Sequence, residues 1–100
     1  MKVAFVEFAN NVHIELIEAT SKESTIAKFI EKKGEGMHHI CLSTPEIKSD
    51  IGKLKAAGHR LVHETPFEGA KNCWVAFVHP SAASGVLLEL SEAKKGDTLD

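Results

Sequence analysis

The chain repeats itself, and that repeat limits what it can fold into. Val3-Ala4-Phe5-Val6 recurs as Val75-Ala76-Phe77-Val78. Further along, Val12-His13-Ile14-Glu15-Leu16-Ile17-Glu18-Ala19 matches Val86-Leu87-Leu88-Glu89-Leu90-Ser91-Glu92-Ala93. The order is the same in both places, with a slightly longer connection in the second. This indicates duplication of a two-strand element rather than chance composition. Duplication makes Glu15 and Glu89 equivalent positions, and a pseudo-twofold axis would bring them towards one shared site.

The rest of the chain is read around those strands. Residues 3–8 and 12–18 predict two strands joined at Asn10-Asn11, a hairpin signal. Ile26, Phe29 and Ile30 share one face of a short helix, with Ser21 or Ser24 as cap and Gly34 and Gly36 at its end. A strand is expected over 37–42, then a helix capped by Thr44 with Pro45 in its first turn. Ile47, Ile51 and Leu54 form its buried stripe. A short strand over 60–63, a polar loop over 65–72 and strands over 73–79 and 85–91 complete the reading. The expected fold is α+β. A strand–helix–strand–strand–strand (βαβββ) unit spans 37–93, residues 1–20 supply only the last two strands of an equivalent unit, 21–36 form a linker helix, and 94–100 a flexible tail.

Composition narrows the function classes. A formal net charge of −2 with scattered Lys and Arg residues leaves no basic footprint for nucleic acid. No apolar run approaches the roughly 20 residues of a spanning helix, so no membrane partner is expected. Two cysteines without a close spacing partner fit free thiols in the cytoplasm. The six histidines are the unusual feature.

Strand parity decides which of these side chains can meet. His13, Glu15 and Ile17 share one strand face, and Leu87, Glu89 and Ser91 share another. A lone glutamate on a strand is most often a solvated outer residue; the repeat is what raises Glu15 and Glu89 above that reading. His38 and His39 are adjacent, so on a strand only one can face a common site. An imidazole with two carboxylates makes half a shell for a divalent ion such as zinc, cobalt, manganese or nickel. His13, two residues from Glu15 on the same face, suits an outer partner of such a site or a substitute ligand. His59 and His63 read as solvated, His79 as a loop boundary, Cys41 as a packed thiol beside the site, and Trp74 as a packing anchor.

The segments Gly36-Met37-His38-His39-Ile40 and Gly85-Val86-Leu87-Leu88-Glu89-Leu90 resemble methylmalonyl-CoA epimerases of the vicinal-oxygen-chelate, glyoxalase-like superfamily. The stretch from Ser24 to Ile30 leading into Gly34-Glu35-Gly36 is similar to that family's linker, and Phe77-Val78-His79-Pro80 to its Phe-Leu-His-Pro segment. The resemblance implies paired βαβββ units whose curved mixed sheet cups a divalent metal. His39 and Glu89 fall on ligand positions, and Glu15 on a position where the family carries glutamate or glutamine. Ser81 stands where the family commonly has lysine. The implied reaction is a 1,1-proton transfer at C2 of an acyl-CoA, with Glu89 as one catalytic group. The family's first histidine ligand and a further acid–base glutamate lie on a part of the first unit that this sequence lacks. A start set inside a longer reading frame is therefore expected, as is a homodimer formed at the open sheet edge. Two other readings are a non-catalytic ligand-binding module and a lactoylglutathione-lyase-type enzyme.

Overall fold

The structure, a computed structural model, describes residues 1–94. The tail expected over 94–100 lies, from residue 95 onward, outside the described residues. The chain divides into two compact units, Met1–Met37 and a second beginning at His38.

In the first unit, β1 (Lys2–Glu7) and β2 (His13–Glu18) form an antiparallel pair, followed by helix α1 (Thr25–Lys33). The Asn10-Asn11 turn forms as expected: φ is 63° and 61°, the left-handed region that asparagine tolerates better than most residues. Phe8 N–H donates to Val12 C=O at 2.8 Å and closes the hairpin. Of the two cap candidates for α1, Ser24 is the one used, its Oγ accepting from Ala27 N–H at 3.1 Å. Gly34, at φ 77°, ends the helix and donates its N–H to Ile30 C=O.

The second unit runs β3 (Ile40–Ser43), α2 (Ile47–Ala56), β4 (Phe67–Gly69), β5 (Cys73–Val78) and β6 (Leu88–Ala93). Its sheet has the order β3-β6-β5-β4, with β3 parallel to β6 and the other pairs antiparallel. This is the expected mixed sheet of an α+β fold. One face of the sheet is sealed by α2. Ile47 and Ile51 pack with Ala76, Val78 and Leu90 as the buried core, and Leu54, Leu61, Ala82 and Leu88 close its rim. Burying each isoleucine is worth about 1.5–3 kcal/mol. The helix is pinned at its start, where Ile47 N–H donates to the Glu92 carboxylate at 2.6 Å. A carboxylate there satisfies an otherwise open amide and meets the positive end of the helix dipole.

Several element boundaries differ from expectation, and three of them lie between Thr44 and Gly69. The strand expected over 60–63 is reduced to a single bridge, Leu61 to Val78. The second strand of the unit lies instead at Phe67–Gly69, inside the stretch read as a polar loop. Gly69 explains the position: a Cβ there would come within 2.8 Å of Val75 Cγ2, so the backbones approach closely only because this residue has no side chain. The third is at α2, which begins at Ile47 rather than directly after Thr44. Thr44 still organises the turn, accepting from Glu46 N–H at 3.1 Å and donating its hydroxyl to Asp50.

The repeat carries through to strand register. In the first hairpin Val3, Ala4, Phe5 and Val6 stand opposite Ile17, Leu16, Glu15 and Ile14. In the second, Val75, Ala76, Phe77 and Val78 stand opposite Ser91, Leu90, Glu89 and Leu88. Matching residues therefore have matching partners, and each glutamate faces a phenylalanine across its ladder.

Candidate active site

Phe77 and Glu89 are directly opposed, so they share the sheet face opposite α2. On the other side of Glu89, the parallel ladder sets Cys41 at the same level. His39 lies two residues before Cys41, at the entry to β3. Its Nε2 is 2.9 Å from Glu89 Oε1, with side-chain exposures of 21% and 19%. Of the residues singled out in the sequence as ligands, the structure brings His39 and Glu89 into contact. The His39 ring also stands edge-on to Phe77, 5.5 Å between centroids, so one wall of the site is apolar.

His38 departs from expectation. Strand alternation would turn it away from His39, yet its Nδ1 lies 2.8 Å from His39 Nδ1. The reason is the strand boundary: β3 begins at Ile40 rather than at residue 37, so neither histidine is bound by the pleat. Burial, with a smaller contribution from the neighbouring His39 charge, lowers the pKa of His38 below the usual histidine value. It is therefore neutral near pH 7, when each ring nitrogen either donates or accepts.

Cys41 carries a second hidden contact. Although the residue as a whole is exposed, burial of its sulfur pushes the thiol pKa up to about 12. The Glu89 charge and a hydrogen bond to Glu89 add to the rise. Cys41 is thus an S–H donor beside the carboxylate rather than a packed thiol, and finding it needed the parallel pairing of β3 with β6. His63 is a further correction. It is half-buried rather than solvated, its Nδ1 accepts from Phe77 N–H at 3.1 Å, and its ring lies 4.6 Å from that of Phe67. His79 ends β5 and accepts from Ser81 N–H, the loop-boundary role expected of it.

Glu15 belongs to the first unit, where it is exposed opposite Phe5, and the Phe5 ring stands 5.5 Å from that of His13. Among the described residues no group of three or more His, Cys, Asp or Glu side chains is gathered closely enough to hold a metal ion. The His39–Glu89 pair nevertheless suits two positions around one. The two donors are an imidazole nitrogen and a carboxylate oxygen, 2.9 Å apart. Two ligands at right angles, each about 2.0–2.2 Å from an ion, are separated by about 3 Å.

Among the described residues no helix is long and apolar enough to cross a membrane. The sequence matches the glyoxalase/bleomycin resistance protein/dioxygenase superfamily over residues 1–77. A curated mitochondrial methylmalonyl-CoA epimerase of Dictyostelium discoideum is 39% identical over 82% of this chain and 50% of its own length. The crystal structure of a hypothetical protein from Bacillus halodurans C-125 is 43% identical with a TM-score of 0.84, over 96% of this chain and 69% of that one. A solved methylmalonyl-CoA epimerase in complex with methylmalonyl-CoA and NH4+ is 26% identical with a TM-score of 0.78, over the same shares of the two chains. The chain spans between half and two thirds of the length of the curated relatives it matches. With a match across 77 of its 100 residues, the chain belongs to the glyoxalase/bleomycin resistance protein/dioxygenase superfamily.

Proposed function

We propose that the chain acts as a methylmalonyl-CoA epimerase, moving the C2 proton of an acyl-CoA substrate by a 1,1-transfer. The observation that carries this reading is the Glu89 carboxylate held at 2.9 Å by His39 on the sheet face opposite α2. Its likeness to epimerases, one of them solved with methylmalonyl-CoA, supplies the substrate. A C2 proton flanked by a thioester and a carboxylate is acidic enough for a positioned carboxylate to remove. Inversion requires that a second acid return a proton on the opposite face. Glu89 supplies one face. A carboxylate has two oxygens, so Glu89 can keep one on its partner and use the other for the proton. The Phe77 ring beside His39 and the Cys41 S–H beside Glu89 shield and orient that carboxylate.

The proposal includes a divalent metal held by His39 and Glu89. When bound, such an ion supplies Lewis-acid stabilisation of the enolate oxygen. The donor types favour zinc, cobalt, manganese or nickel. We place the reaction in the cytoplasm, which suits the free thiols Cys41 and Cys73. We also propose that the chain works as a homodimer. The support is the first hairpin, where Val6, Ile14 and Leu16 are 42%, 52% and 55% exposed on one face.

The test is exchange of the substrate C2 proton for deuterium in heavy water, followed by mass spectrometry and paired with elemental analysis for metal. Exchange with stoichiometric metal is expected. Exchange without metal would remove the metal from the proposal. Thermal stabilisation by methylmalonyl-CoA without exchange would make the chain a binding module. Turnover of a hemithioacetal instead would make it a lactoylglutathione-lyase-type enzyme. Sedimentation as a monomer would end the dimer proposal.

A further inference from the structure

We propose that His38 is a positioning residue for His39, an anchor on Nδ1 that lets the far nitrogen, Nε2, pass between the Glu89 carboxylate and a cation. Three contacts fix the His39 ring: His38 Nδ1 at 2.8 Å, Glu89 Oε1 at 2.9 Å and the Phe77 ring at 5.5 Å between centroids. The last restrains the ring by shape. The first two depend on where its protons are.

A hydrogen bond between two ring nitrogens holds one proton, so one histidine donates and the other accepts. Without a cation, Glu89 accepts from His39 Nε2–H. When the His39 Nδ1 carries no proton, His38 donates to it. With a cation, Nε2 needs its lone pair for the ion. The His39 proton then sits on Nδ1, and His38 must accept. A residue at position 38 therefore has to serve both roles from one place. An imidazole nitrogen can either donate or accept, whereas a lysine or an aspartate would support only one of the two states. Ligating histidines generally have such a partner on the other ring nitrogen, and losing it typically costs 10–100-fold in metal affinity. Here the partner comes from the neighbouring residue, which is possible because β3 begins only at Ile40.

The cation half of this inference rests on the proposed metal-dependent reading; the ring anchor itself does not. The test uses the full chain, labelled with nitrogen-15, together with His38→Phe and His38→Asn. Asparagine places an amide, able to donate or accept, near the former Nδ1. Long-range proton–nitrogen spectra of the metal-free protein should show His39 protonated at Nε2 with a slowly exchanging proton. His38→Phe should broaden or lose that signal, and His38→Asn should restore it. Titration with zinc alone should give an affinity about 10–100-fold weaker for the Phe variant and close to the parent for the Asn variant. Zinc should also move the His39 proton to Nδ1.

If the Phe variant does not fold, His38→Ala, which adds no apolar surface, takes its place. An unchanged His39 signal together with unchanged zinc affinity in the variant lacking the imidazole would overturn the proposal. If the parent chain bound no zinc while the His39 signal still depended on residue 38, the metal reading would fall and the anchor would stand.

Discussion

The molecule contains the same hairpin twice, in the same register, in two different settings. In β5–β6, the face carrying Ala76, Val78 and Leu90 is sealed by α2, and those residues are 1%, 3% and 8% exposed. In β1–β2 the matching face carries Ala4, Val6 and Leu16, and Val6 and Leu16 are 42% and 55% exposed. The opposite faces also correspond, with Phe5 against Glu15 and Phe77 against Glu89. Glu89 has His39 and Cys41 beside it within its own unit, because β3 pairs beside β6 and brings them. The strand pattern thus sets register, while the neighbouring element decides whether a register position becomes core, site or surface.

The largest expected effect separates the two glutamates. Glu89→Gln keeps the shape of the side chain and removes its charge. It should slow exchange of the substrate C2 proton by about 10²–10⁴-fold, the usual contribution of a positioned acid–base group. Glu15→Gln should stay within about tenfold of the parent, because Glu15 is an exposed side chain of the first unit. Equal losses would show that the two register-equivalent carboxylates do equal work, and the asymmetry drawn here would fail.

The next effect compares the two apolar faces. Ile47→Ala removes a side chain 2% exposed at the centre of the α2 contact and should cost about 2–5 kcal/mol in urea unfolding. Leu16→Ala, on the uncovered face, should change stability by no more than about 0.5 kcal/mol for an isolated chain. A Leu16→Ala cost close to that of Ile47→Ala, and dependent on protein concentration, would show that association covers the first hairpin in solution.

These contrasts also mark what the sequence made legible. The repeat, both hairpins, the Ser24 cap, the Asn10-Asn11 turn and the Ile47/Ile51/Leu54 stripe are local or periodic signals, and each appears in the structure. His39 and Glu89, 50 residues apart, were found through the repeat and the family resemblance rather than through spacing. Parity with His39 set Cys41 beside the site, but its hydrogen bond to Glu89 was not legible, because that contact depends on β3 joining the sheet parallel to β6. His38 was misjudged because strand alternation was extended over two residues that precede the strand. The short β4 was hidden in a polar stretch, where its existence depends on Gly69 allowing close approach to Val75 rather than on any β-forming run.

The Cys41 contact gives a prediction in which one causal contribution can be removed at a time. The thiol, raised to about 12 by burial first and by Glu89 second, should stay protonated well above the ordinary cysteine value. Between that ordinary value and about 12 the unfolded chain has lost this proton and the folded chain has kept it. The stability it contributes is therefore complete below the unfolded pKa and is lost as pH rises through the folded one. Ultraviolet titration of the thiolate in a Cys73→Ala background should show the raised midpoint. Glu89→Gln should lower it, but not to the ordinary value, because burial remains. A midpoint indifferent to Glu89→Gln would separate the thiol from the carboxylate.

The smallest effect lies in the two connections. The first hairpin turns through Asn10 and Asn11 at positive φ. The second uses a longer connection, the single turn Pro80–Ala83 followed by Ser84 and Gly85 at φ 55° and 92°. A left-handed residue costs about 1–2 kcal/mol when it carries a β-branch and little when it is asparagine or glycine. Asn11→Val should therefore weaken β1–β2 by about 1–2 kcal/mol, visible as faster amide exchange at Phe8 and Val6, with β5–β6 unaffected. The separation should be clean, because the first hairpin does not share the α2 core that holds the second. Faster exchange in β5–β6 as well would mean that the hairpins unfold as one cooperative body, and that the first is buttressed in solution as firmly as the second.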